Sequence, residues 1–309
     1  MRVLFWGTPE FATSALRALV GEGFDVVGVV TQPDRPHGRS RSTLVPPPVK
    51  VVAQAEDIPV LQPERPRGDE FIASLRALAP DVSIVVAYGH ILPRDVIDLP
   101  PRGTLNIHAS LLPALRGAVP IQAAIRNGLT ETGVTVMRMV EALDAGPIVH
   151  QETVPILPDE TYGELQMRLA ELGAQALIDG LALLEAGAAK EAPQEESRAT
   201  YAPKITREAC RIDWMRPAPE IACIIRAYDP KPGAWTTLRE HELRVFGARP
   251  LHMDRGPAGS ILEVTKAGMV VAAGSGAVLV GAAHPANKRR MSPEELLAGR
   301  QIALGDVLS

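Results

Sequence analysis

Arg2-Val-Leu-Phe-Trp6, followed by Gly7-Thr-Pro-Glu10 and then by Phe11, Ala15, Leu16 and Leu19 at helical spacing, decides the fold. The apolar run behind Arg2 reads as a buried strand. Thr8, Pro9 and Glu10 suit a helix start: Thr caps, Pro fits the first turn, and Glu favours the positive end of the helix dipole. Gly21 or Gly23 ends that helix, and Val26–Thr31 supplies the next apolar run. A strand–helix–strand opening, repeated through Val82–Ala87 and Thr104–His108, predicts a parallel sheet covered by helices. The first turn is not a Gly-x-Gly-x-x-Gly loop. A Rossmann-like α/β layout is therefore expected without a dinucleotide site.

The longest helical pattern runs over Thr161–Leu184, with Leu165, Leu169, Leu172, Ala176, Leu177, Leu181 and Leu184 making a stripe for core packing. Composition changes over Gly187–Thr200 to Ala, Lys, Glu, Gln, Pro and Ser, which reads as an exposed linker. This divides the chain into a domain of residues 1–189, a linker of residues 190–205 and a smaller domain of residues 206–309. The last holds a short helix at Ala218–Ala227 and β-like runs at Ala234–Leu238, Leu243–Ala248, Gly259–Val264, Met269–Ala273 and Ala277–His284. Short strands separated by Gly and Pro suggest a small β-barrel.

With 309 residues, 46% hydrophobic and 22% charged, the chain has the composition of a two-domain globular protein. No charged segment precedes a long apolar run, so no secretory signal is expected, and no apolar run approaches the ~18 residues of a membrane helix. Cys210 and Cys223 lack metal-ligand spacing and are expected to be free thiols. The net charge of −4 does not advertise a nucleic-acid binder, yet residues 201–309 carry 15 Lys and Arg against 11 Asp and Glu. That basic tail is weak support for a module that meets phosphates, and ordinary scatter between domains explains it as well.

The candidate chemistry lies in Gly103-Thr-Leu-Asn-Ile-His-Ala-Ser-Leu-Leu-Pro113. Asn106 and His108 stand two apart on a strand end, so both point to one face while Ile107 turns to the core. Downstream, Glu141-Ala-Leu-Asp-Ala-Gly146 places Asp144 in a short turn, where a carboxylate can orient and charge the imidazole. An amide donor and an imidazole suit a transition state with charge on oxygen and a proton to move. Taken singly, each residue has a plainer reading: a loop hydrogen-bonder for Asn106 or His108, a turn former for Asp144.

The wording around them joins the three. Asn106-Ile-His-Ala-Ser-Leu-Leu-Pro113, Arg116-Gly-Ala-Val-Pro-Ile-Gln122, Gly133-Val-Thr-Val-Met137 and Leu143-Asp-Ala-Gly146 resemble the 10-formyltetrahydrofolate-dependent formyltransferases over nearly the whole chain. Thr31-Gln-Pro-Asp-Arg-Pro36, Ser110–Pro113 with Arg116-Gly117, and Ile212-Asp-Trp214 resemble the branch that acts on charged tRNA. The resemblance implies catalytic roles for Asn106, His108 and Asp144, and folate contacts at Ser110, Leu111, Leu112 and Pro113. It implies an OB-like second domain, 10-formyltetrahydrofolate as cosubstrate, and initiator methionyl-tRNA as acceptor. A monomer acting in the cytoplasm is expected, with no metal, nucleotide cofactor or membrane partner. Val85-Val-Ala-Tyr-Gly-His-Ile-Leu-Pro93 would add Ile91 and Leu92 beside Leu112 to an apolar slot for the pterin.

Arg35-Pro-His-Gly-Arg-Ser-Arg41 is a basic loop that can serve tRNA phosphates through Arg39 and Arg41, or simply be a solvated loop. Here the chain departs from the family, carrying Ser40-Arg-Ser-Thr43 where relatives commonly have Gly-Lys-Lys. Lys231 likewise stands where an aromatic residue is frequent. Lys288-Arg-Arg290 reads either as a phosphate track or as an exposed charge run. The competing functions are formyl transfer to another amine, folate-dependent hydrolysis, and nucleic-acid binding without chemistry, which leaves Asn106, His108 and Asp144 no joint purpose.

Overall fold

The computed structural model describes residues 1–37, 43–253 and 255–309. The opening run forms β1 (Arg2–Gly7), a single 3-10 turn at Glu10–Ala12 and helix α1 (Thr13–Gly21). Thr8 does not cap this helix: its hydroxyl donates instead to the Tyr88 carbonyl at 2.9 Å, beyond a later strand. A tertiary partner has won over the local cap. β2 (Asp25–Val30), β3 (Val60–Leu61), helix α2 (Asp69–Ala77), β4 (Val82–Val86) and β5 (Thr104–His108) follow. With β6 (Glu131–Arg138) and β7 (Ile148–Pro155) they complete a seven-stranded sheet in the order β7-β6-β5-β4-β1-β2-β3.

β1 runs parallel to β2 and β4, and β4 parallel to β5. The chain winds outward from β1 in one direction to β3 and then in the other to β5. That reversal is the mark of a doubly wound sheet, which holds its ligands beyond the carboxyl ends of the strands. The expectation of a parallel sheet needs one amendment, because β6 pairs antiparallel to β5, Leu105 facing Arg138 and His108 facing Thr135. Helix α3 (Tyr162–Glu185) covers one face. Its Gly173 and Gly180 let the helix lie close on Ile107 and Val136. On the other face Trp6, Leu75, Val85, Tyr88 and Leu92 form a buried cluster, with Trp6 edge-on to Tyr88 at 5.3 Å between centroids. Burying each such side chain fully contributes about 1.5–3 kcal/mol.

Two compact units divide the chain, and neither is contiguous. Residues 118–132 and 155–165 belong with residues 202–309, whereas the stretch read as a linker belongs, up to Tyr201, with the large sheet. The reason is local packing. The helix Pro120–Arg126 lies on α4 (Ala218–Ala227), and the Glu160 carbonyl accepts from Arg226 of α4. In that second unit β8 (Ala234–Leu238), β9 (His241–Leu251), β10 (Ile261–Thr265), β11 (Gly268–Ala272) and β12 (Ala277–Pro285) form an antiparallel sheet ordered β8-β9-β12-β11-β10. Cys210 and Cys223 are free thiols. Among the described residues no helix is long and apolar enough to cross a membrane.

Gly133 in β6 has no room for a side chain. A Cβ there would overlap the Glu152 carbonyl oxygen and approach Leu111 Cδ2 to 2.5 Å. Gly133→Ala should therefore lower stability by about 3 kcal/mol, the upper range for an overpacked core. The denaturant midpoint measures this, and an unchanged midpoint would refute so close an approach of β6 to its neighbours.

Candidate active site

Register places the candidate side chains. Asn106 pairs with Val85 on one side and Met137 on the other, so these three share a face of the sheet. Ile107 turns to the opposite face, against Gly173 of α3. The alternation expected from the sequence is thus present, and Asn106 and His108 emerge on the same side. Asn106 is half-buried, and among the described residues its side-chain amide has no protein partner. Its donors are left for a ligand.

The His108 ring is buried, and its Nε2 lies 2.9 Å from the Leu115 carbonyl oxygen. A carbonyl accepts and cannot donate, so this contact requires a proton on Nε2. Nδ1 then faces Asp144 Oδ2 at 3.8 Å. That separation is too long for a hydrogen bond and is an ion pair when the ring carries both protons. The same Oδ2 accepts the Gly117 N–H at 2.8 Å, which holds the carboxylate in place. Asp144 itself has φ 49°, in the left-handed region that a short polar residue tolerates better than most. The three residues singled out from the sequence therefore divide: His108 and Asp144 face each other directly, and Asn106 stands two residues back on the His108 strand.

The segment after β5 is locked by one hydroxyl. Thr135 Oγ1, fully buried in β6, donates to the Ser110 carbonyl at 2.6 Å and accepts from Leu112 N at 3.1 Å. Gln151 adds a donor to Thr135 Oγ1 at 2.8 Å and to the Leu112 carbonyl at 2.9 Å. The Ser110 hydroxyl is spent on the Ala114 carbonyl. Ser110 and Leu112 are buried, whereas Leu111 and Pro113 are partly exposed. Of the apolar slot residues, Leu92 is in the core and Ile91 is 89% exposed. Tyr88, from the same stretch, has no hydroxyl partner among the described residues, and burial pushes its phenol up to about 12. It stays neutral.

Sequence reasoning missed two residues here. Arg116 was noted for its motif alone, yet it is 2% exposed and holds Glu196 and Gln194. Gln194 lies in the stretch read as linker, which is largely exposed but sends this side chain inward. The only available sequence signal was a Gln between Pro193 and Glu195.

Arg39 and Arg41 lie outside the described residues. Their loop springs from Arg35–His37, paired antiparallel with Thr43–Val45. At its base the Asp34 carboxylate sits between Gln62 and Lys50, which hold it below the usual carboxylate range. The basic triplet of the second unit is largely committed internally. Arg289 pairs with Glu295 at 2.5 Å, and Arg290 lies over the Phe246 ring and reaches Asp229 at 3.2 Å. Lys288 is exposed. His150, Glu152 and Asp179 bring three possible metal-ligand atoms within 4.8 Å of one another, but none of them belongs to the His108 network.

The family model described as formyl transferase matches residues 1–181, and that described as formyl transferase, C-terminal domain, matches residues 204–301. The chain is 46% identical to the methionyl-tRNA formyltransferase of Moorella thermoacetica, over 100% of this chain and 99% of that protein. It is 47% identical to the methionyl-tRNA formyltransferase of Aromatoleum aromaticum, over 99% of this chain and 96% of the relative. Among solved structures, HypX from Aquifex aeolicus in complex with tetrahydrofolic acid is similar in fold, with a TM-score of 0.68 and 19% identity. That match covers 98% of this chain and 48% of the other.

Thr135→Val keeps the shape of the side chain and removes its hydroxyl, leaving the buried Leu112 N–H without its acceptor. It should cost about 3 kcal/mol, as an unsatisfied buried group does at the upper end. A denaturant midpoint equal to that of the unaltered chain would contradict the role given to this hydroxyl.

Proposed function

Because the chain belongs to the formyl transferase family across both of its domains, we propose that it formylates the α-amino group of methionine on initiator methionyl-tRNA, giving N-formylmethionyl-tRNA. It is an enzyme, a one-carbon transferase that uses 10-formyltetrahydrofolate. The observation that carries the acceptor is full-length identity of 46% to a protein of that name. We propose further that it acts in the cytoplasm and as a monomer.

When bound, 10-formyltetrahydrofolate supplies the activated formyl group. The residues present suit it: Asn106 has an unspent amide, and Ile91 and Leu143 turn large apolar side chains to solvent on the loops that follow β4 and β6. Leu111 and Pro113 offer partly exposed surface for the same ligand, whereas Ser110 and Leu112 support that surface from below. The Asn106 side chain donates to the formyl oxygen as it gains negative charge, a contribution that typically amounts to ~10²–10³ in rate. His108, with Nε2 committed to Leu115, takes up at Nδ1 the proton released by the attacking amine and returns it to the departing nitrogen. Asp144 offsets the positive charge of the ring while it holds that proton. The nucleophile belongs to the substrate, so no Ser or Cys need be activated.

Incubation with 10-formyltetrahydrofolate and charged initiator tRNA should yield formyl-methionine after the ester is hydrolysed. Formylation of an amino-sugar nucleotide instead would contradict the assigned acceptor.

His108→Ala and Asp144→Ala should each cut formyl transfer at least ~100-fold with the fold intact, and the double variant should be little worse than either. Near-normal turnover in either single variant would remove it from the mechanism. Arg39 and Arg41 are assigned to tRNA. Neutralising both should raise the KM for tRNA and flatten its salt dependence while the folate KM holds. A shift in the folate KM would reassign the loop.

A further inference from the structure

Resting on that reading, we infer that Gln194 is a positioning residue for Asp144, and through it for His108. Its side-chain nitrogen donates to two carbonyls of one turn, Asp144 O and Gly146 O, each at 2.8 Å. Its side-chain oxygen accepts Arg116 Nε at 3.1 Å and Arg116 Nη2 at 2.9 Å. An amide has two hydrogens to give and two lone pairs to offer, and here all four are used. The orientation is therefore unambiguous: flipping the amide would set its hydrogens against a guanidinium and its oxygen against two carbonyls.

Both ends of this bridge are fixed. Arg116 is 2% exposed, and its remaining nitrogen reaches the two Glu196 oxygens at 3.0 and 2.9 Å. Gly146 packs against the Arg138 carbonyl so closely that a Cβ would overlap that oxygen. Between them Asp144 is held at a φ of 49°, which a free turn of non-glycine residues seldom keeps. The residue that follows Arg116 is Gly117, whose N–H holds the Asp144 carboxylate. The Arg116-Gly117 dipeptide thus ties Asp144 twice: directly at the carboxylate, and through Gln194 at the main-chain carbonyl. Without Gln194 the turn loses both carbonyl restraints, and the Gly117 N–H alone holds Oδ2 opposite His108 Nδ1.

The test uses the full-length chain with 10-formyltetrahydrofolate and charged initiator tRNA. Gln194→Met keeps the volume and removes every hydrogen bond. Gln194→Glu keeps an acceptor for Arg116 and loses both donors to the turn. Each should lower kcat at least ~10-fold with the KM of both substrates within about twofold, and should displace the pH profile of kcat, as a misplaced general-base partner does. Glu195→Gln, at an exposed neighbour that takes no part in the bridge, should match the unaltered chain. Unchanged kcat in either Gln194 variant overturns the inference. So does a fall in kcat with the original pH profile, which is what a smaller folded fraction produces. If the unaltered chain gives no product, the reading of the acceptor falls and this inference with it. Product formed equally by the unaltered chain and both variants overturns this inference alone.

Discussion

The hydrogen bond from the Gly117 N–H to Asp144 Oδ2, 2.8 Å long, joins the two loops from which the site is made. One loop follows β5 and carries the Leu115 carbonyl that fixes Nε2 of His108. The other follows β6 and carries the carboxylate that faces Nδ1. The first loop ends in the short strand Arg116–Gly117, paired with Tyr201–Ala202, so the link ties the Asp144 turn to a fixed segment. A half-buried carboxylate held by a main-chain donor is worth more than an exposed ion pair, because its charge is oriented before any substrate arrives.

The doubly wound sheet supplies the rigid floor under those loops. Its reversal of direction sets β4 beside β1, β5 pairs parallel with β4, and the antiparallel β6 brings Thr135 under the segment after His108. Thr8 and Gln32 both donate to the Tyr88 carbonyl, tying the loop after β4 back to β1 and β2. Precision in the site thus comes from main-chain carbonyls claimed by side chains distant in sequence.

Regular elements were legible wherever periodicity alone determines them. Thr104–His108, Ala218–Ala227 and Ala234–Leu238 have the bounds expected from their patterns, and α3 differs from its stripe by one residue at each end. The shared face of Asn106 and His108 was legible from strand alternation. What periodicity could not carry was the partner choice of single polar side chains. Thr8 looks like a cap and is spent on a distant carbonyl. Gln194 lies in a polar, aperiodic stretch and turns inward because Arg116, far away in sequence, needs an acceptor. The interleaving of the two units escaped notice for a related reason: the packing of Pro120–Arg126 against α4 is a contact between two short apolar helices with nothing in either to name the other.

The account stands on His108 being held between the Leu115 carbonyl and the Asp144 carboxylate with a fixed assignment of its two nitrogens. Long-range nitrogen–proton NMR of the imidazole reads that assignment directly. In the neutral ring the proton should reside on Nε2, with Nδ1 bare and turned toward Asp144. A neutral ring protonated on Nδ1, or one that exchanges freely between the two forms, would contradict the arrangement on which the proposed chemistry depends.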